Sequence, residues 1–94
     1  MLDTGDHIDV RMLGVPYRIL TSKGTLRFGS GWLEVRPPGR SGLNFCGVAV
    51  RPHDDLPERV ARLNELLAER HFLEGARVTL ELLTRKEASR WLGA

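Results

Sequence analysis

Lysine is nearly missing from this chain, glutamine is missing altogether, and cysteine occurs once. The single cysteine, Cys46, rules out an intramolecular disulfide framework. No stretch approaches the ~18 apolar residues of a membrane-spanning helix, so no membrane partner is expected. The acidic opening, MLDTGDHIDV, has no apolar core segment, so no secretory signal is expected. Together these absences point to a cytoplasmic protein. Asparagine occurs only at Asn44 and Asn64, and of the basic residues only Lys23 and Lys86 are lysines. Few thermolabile residues beside many Arg and Glu suit a thermophile, or a GC-rich genome.

Several chemistries are missing too. His7, His53 and His71 are scattered singly, without the C-x-x-C, H-x-H or H-E-x-x-H spacing of a metal site. The "GSG" at 29–31 lacks the Gly-Lys-Ser or G-x-x-G continuation of a phosphate cradle and reads as a turn. No metal, no cofactor and no small-molecule substrate are identifiable. The chain is not expected to be an enzyme.

What is present is an ordinary soluble composition: 94 residues, 41% apolar and 28% charged. That length predicts one domain over 1–94, burying roughly 60–65% of its unfolded surface. Net charge is +2, but it is unevenly placed. Arg11, Arg18, Lys23, Arg27, Arg36, Arg40 and Arg51 lie between 11 and 53 against one acid, Glu34.

The first half reads as short strands between turn signals. "HIDVRML" alternates with Ile8, Val10 and Met12 on one face, and "VPYRILT" with Val15, Tyr17 and Ile19; Pro16 marks an edge or a strand start. "SKG" at 22–24 predicts a tight hairpin, with Gly24 at positive φ. "TLRF" and "WLEVR" follow, and "PPGRSG" at 37–42 is expected to be a mobile loop. "LNFCGVAV" at 43–50 is apolar almost throughout and predicts a strand covered on both faces. Then the period lengthens. Leu56, Val60, Leu63 and Leu67 form one face of a helix over about 56–72, with Asp55 and Glu58 at capping-box spacing and Gly75 as a stop. "ARVTLELL" is a further strand. Thr84 and Glu87 open a short helix whose buried stripe is Ala88, Trp91 and Leu92. The expected fold is α+β, order β-β-β-β-β-α-β-α: a mainly antiparallel sheet with the long helix packed on one face.

"RPHDD" at 51–55 is the one place where an imidazole and two carboxylates crowd together. His53 lies seven residues from Cys46 along an extended segment, roughly 23 Å at about 3.3 Å per residue. An odd separation also turns the two to opposite faces, so the run reads mainly as a helix entry. A third functional reading keeps a ligand or catalytic site at His53 and Asp54. "LNELL" at 63–67 has the pattern of a groove-binding helix, but Leu63 and Leu67 already belong to the core stripe. "FLEGARVTLEL" is similar to the helix-to-strand step in the C-terminal domain of bacterial initiation factor three, over a dozen residues. "RPPGR" with "NFCG" resembles the paired arginines and Asn/Asp-x-Ser-x-x-Gly element of a PilZ domain, without its serine and at a shorter spacing. Neither resemblance carries a function over.

The strand pattern leaves a second face. Opposite Val10, Met12, Tyr17, Ile19, Leu26, Phe28, Leu33 and Val35 it offers Arg11, Arg18, Arg27 and Arg36, with Leu13, Leu20, Trp32 and Leu83 among them. A barrel closure, a second copy or a partner would cover it. The favoured expectation is an interaction module, a homodimer through Trp32, Leu20, Leu13, Arg18, Arg27 and Arg36. The alternative is a nucleic-acid binder using Arg11, Arg18, Arg27, Arg36 and Arg40 on phosphates and Trp32 or Phe45 on a base.

Overall fold

Leu13 and Gly14 set the first turn. A computed structural model of the chain describes residues 6–39 and 44–91, with side chains through residue 88. Arg40, Leu92 and the side chain of Trp91 lie outside the described residues, as does the end of the 37–42 loop. β1 (His7–Met12) pairs antiparallel with β2 (Val15–Thr21), Met12 facing Val15. The two loop residues take φ of 51° and 79°. Positive φ at both positions is the turn that matches strand twist. β3 (Thr25–Gly29) and β4 (Trp32–Arg36) are joined the same way, through Ser30 and Gly31 at 52° and 78°. β5 (Cys46–Ala49), α1 (Leu56–Glu69), β6 (Val78–Leu82) and α2 (Arg85–Trp91) complete the order.

The element order is the expected one, but the strands divide into two antiparallel sheets, β1-β2-β6 and β3-β4-β5. "SKG" is therefore not a hairpin loop. Gly24 has the expected positive φ, but the segment carries the chain from one sheet to the other. Pro16 lies in the central strand of its sheet. It is tolerated because it stands near the strand start, before pairing to β6 begins at Tyr17. β5 is an edge strand covered on one side: Cys46, Val48 and Val50 are buried, while Phe45 and Ala49 are exposed.

One apolar cluster joins both sheets and α1. Met12 and Ile19 meet Leu33, Val35, Cys46 and Val48, with Leu56, Val60, Leu63 and Leu67 of the helix stripe. The helix bed is narrower than expected, since α1 packs mainly on β5 and β6, one strand from each sheet. The buried apolar residues of the other strands, among them Met12, Ile19, Leu26, Leu33 and Val35, belong to the same cluster.

The ends of α1 depart from expectation. Asp55 is the N-cap residue in extended conformation, but its side chain makes no cap hydrogen bond. Asp54 instead turns the chain, accepting from the Arg51 N–H at 2.7 Å. The helix stops at Glu69 rather than 72, and His71, Leu73 and Glu74 take positive φ before Gly75. The second capping box forms: Thr84 N–H donates to Glu87 Oε1 at 2.9 Å, and Glu87 N–H to Thr84 Oγ at 3.1 Å. One polar residue of α1 has a structural task that periodicity does not reveal. The Asn64 amide donates to the Val78 carbonyl and accepts from the Val78 N–H, both at 2.8 Å. It pairs with the outer edge of β6 as a neighbouring strand would.

Candidate interaction surface on the outer face of β3-β4-β5

Strand alternation sorts β4. Leu33 and Val35 point into the core, and Trp32, Glu34 and Arg36 point outward. In register with them stand Gly29, Arg27 and Thr25 of β3, and Ala49 and Gly47 of β5. Phe45, just before β5, joins the same side.

The centre of this face is Glu34, only 5% exposed. A buried carboxylate is costly unless its charge is met and its oxygens are bonded. Here both oxygens are used. Trp32 Nε1–H donates to Oε1 at 2.7 Å, and Arg36 Nε–H donates to Oε2. Arg36 also lies over Phe45, its guanidinium carbon 5.6 Å from the ring centroid. Trp32 and Phe45 meet edge to face, centroids 6.1 Å apart and planes at 84°. Gly47 makes this possible: a Cβ there would come within 2.8 Å of Trp32 Cε2 and 2.7 Å of the Leu33 carbonyl. The indole thus occupies the space a side chain would take.

The result is a preorganised aromatic and ionic surface that still meets solvent. Trp32 is 36% and Phe45 44% exposed, and they account for two of the four exposed large hydrophobic residues among those described. Arg27, opposite Glu34, is exposed and makes no ion pair among the described residues. A shallow cavity of about 350 Å³ opens between Arg27, Trp32, Glu34 and Arg36. With both Glu34 oxygens occupied, the face offers an incoming molecule aromatic surface and a cation rather than a free base.

The expected interface residues are only partly brought together. Trp32, Arg27 and Arg36 share this face. Arg18 and Leu20 lie on β2, on the outer side of the other sheet. There Arg18 grips Asp9 through two hydrogen bonds, of 2.8 and 3.0 Å. That bond is the main reason the Asp9 carboxyl titrates below its usual range and the Arg18 guanidinium above its own. The charges of Glu87 and Glu81 also favour the charged form of Arg18. Leu83, expected on the open face, is buried, as is Ala88 of α2. Leu13 is on neither strand face but in the first turn, 67% exposed. Arg11 is exposed on β1. Phe45, offered beside Trp32 as a stacking residue in the nucleic-acid reading, does reach this face, although its apolar neighbours disguise the alternation of the 43–50 run.

The other candidates separate. Cys46 is fully buried, and burial pushes its thiol pKa up, partly offset by Arg70. His53 is exposed, so the two form no dyad. Among the described residues no group of three or more His, Cys, Asp or Glu is placed to hold a metal ion, and no helix is long and apolar enough to cross a membrane. Comparison with family models, with curated proteins and with solved structures finds no match to this chain.

Proposed function

We propose that the chain is an interaction module that self-associates through the outer face of β3-β4-β5, with Trp32 and Phe45 at the centre of the contact. The observation that carries this reading is the adjacency of two exposed aromatics, held rigid by the Glu34–Arg36 pair and flanked by Arg27. Trp, Phe and Arg are enriched in interface cores, and rigid anchors lose little entropy on binding. Leu20, Arg18 and Leu13 do not belong to this contact. Sedimentation velocity in the micromolar range is the test. Wild type should sediment as a dimer, and Phe45→Ser, which leaves the Trp32 hydrogen bond to Glu34 in place, as a folded monomer. A wild-type monomer throughout that range would refute the proposal.

Arg27 supports a second reading, in which the same aromatic face stacks on single-stranded RNA and the unpaired guanidinium meets a phosphate. Binding should then weaken with salt, log K falling by about 0.7 per log unit of salt for each phosphate contact. Arg18, committed to Asp9, is not part of that contact.

A further inference from the structure

We propose that the paired hairpin tips, with Leu13 at their apex, dock on an anionic phospholipid surface. Both two-residue turns border one cavity of about 270 Å³. Its lining includes Leu13 from the first turn, Ser30 from the second, Arg11 from β1 and Arg51 from the chain leaving β5. This site is separate from the Trp32–Phe45 contact, and the proposal does not depend on self-association.

Three observations converge. First, Leu13 has φ of 51° while remaining 67% exposed. Left-handed backbone disfavours a leucine, and this one gains little packing in return. Ser30 occupies the matching position of the other hairpin at 52°, so the turn itself has no need of an apolar side chain. Strain kept at an exposed tip points to a use for the side chain. Second, Arg11 and Arg51 are both exposed, and neither guanidinium has a hydrogen bond or ion pair among the described residues. Third, among the described residues no acidic side chain lines the cavity. Arg51 also borders a neighbouring cavity with Asp54 and Glu58, but Asp54 is engaged by the backbone N–H of Arg51 and Glu58 by the Arg59 guanidinium.

An apolar protrusion ringed by unpaired cations complements a layer of phosphates over hydrocarbon. A protein partner would need a pocket shaped to a single leucine, whereas a bilayer accepts a protruding side chain without one. The lack of a long apolar run in the sequence argues against a membrane-crossing helix in these residues and has no bearing on surface docking. One leucine and two arginines make a weak, salt-sensitive contact rather than an anchor.

The test is co-sedimentation of the full chain with vesicles of phosphatidylcholine alone and of phosphatidylcholine mixed with phosphatidylserine, at low and physiological salt. The expected result is binding to the mixed vesicles that weakens with salt, and little binding to neutral ones. Leu13→Ser should lower binding severalfold without lowering the melting temperature, since serine is already accommodated at Ser30. Arg11→Gln and Arg51→Gln should each lower it, while Arg77→Gln, which removes the same charge away from the tips, should not. Failure of wild type to bind the mixed vesicles at low salt would overturn the proposal. So would an unchanged Leu13→Ser variant, or an Arg77→Gln loss equal to that of Arg11→Gln. Binding to poly(U) or polyglutamate without binding to vesicles would reassign the patch to a polyanion and reject the lipid.

Discussion

Asp55 and Thr84 stand at equivalent positions before their helices, and only one of them caps. Thr84 and Glu87 exchange two hydrogen bonds with each other's backbone, whereas the Asp55 side chain makes no cap hydrogen bond. Thr84→Ala should therefore cost about 0.5–2 kcal/mol. Asp55→Ala should stay within about 0.5 kcal/mol, the range of an uninvolved surface change. Urea titration of both variants checks the contrast, and equal losses would contradict it. At this scale the sequence is legible in spacing but not in outcome. Both boxes have the same i, i+3 pattern. What separates them is Asp54, which shapes the entry to α1 from one residue upstream, and no propensity rule ranks Asp54 above Asp55. Phe45 is similar. Its place on the outer face follows from alternation with Cys46 and Val48, but the small apolar residues Gly47 and Ala49 conceal that alternation.

Among the elements, α1 and β6 were each readable from periodicity, whereas the seam between them was not. Leu63 and Leu67 mark the helix stripe, and Val78 and Leu80 the inner face of the strand. Asn64 sits beside that stripe as a lone amide, and only the fold shows it pairing with both polar groups of Val78. Ser22 N–H donates to the Arg77 carbonyl and Leu83 N–H to the Pro16 carbonyl, so the residues flanking β6 bond toward β2. Alternation then turns Val78 away from β2, and the Asn64 amide meets it there. Asn64→Leu should cost about 1–3 kcal/mol, because the Val78 N–H and carbonyl lose their partner in a partly buried place. Hydrogen exchange at the Val78 amide should rise more than at Leu63. Unaltered protection at Val78 would show that the amide pairing contributes nothing.

For the whole molecule, periodicity identified which residues face inward but not how the strands share them. Val10, Ile19, Leu26, Leu33 and their neighbours were all placed on one face, and in both sheets they do point to the core. Nothing local distinguishes a turn that pairs its strands from one that parts them, so "SKG" read as a hairpin. The partition depends on β6 pairing with β2, a contact between distant parts of the chain. Because one cluster serves both sheets, the sheets should unfold together. Ile19→Ala, in β1-β2-β6, should destabilise by about 2–5 kcal/mol. Trp32 emission, measured in a Trp91→Phe background, reports on the other sheet and should shift its midpoint as far as far-ultraviolet circular dichroism does. A Trp32 transition left in place would mean two independent cores.

The β2–β6 pairing also bears on the order in which the chain is made. During translation the strands of β3-β4-β5 emerge within one another's reach, so that sheet can assemble while synthesis continues. The other sheet waits: β1 and β2 are a lone hairpin, marginal by itself, until Val78–Leu82 clears the ribosomal tunnel. Through that interval the β6-facing edge of β2 is an unpaired template. A nascent chain whose emerged part ends just short of Val78 should be the species most prone to chaperone capture, and emergence of the next five residues should end that vulnerability.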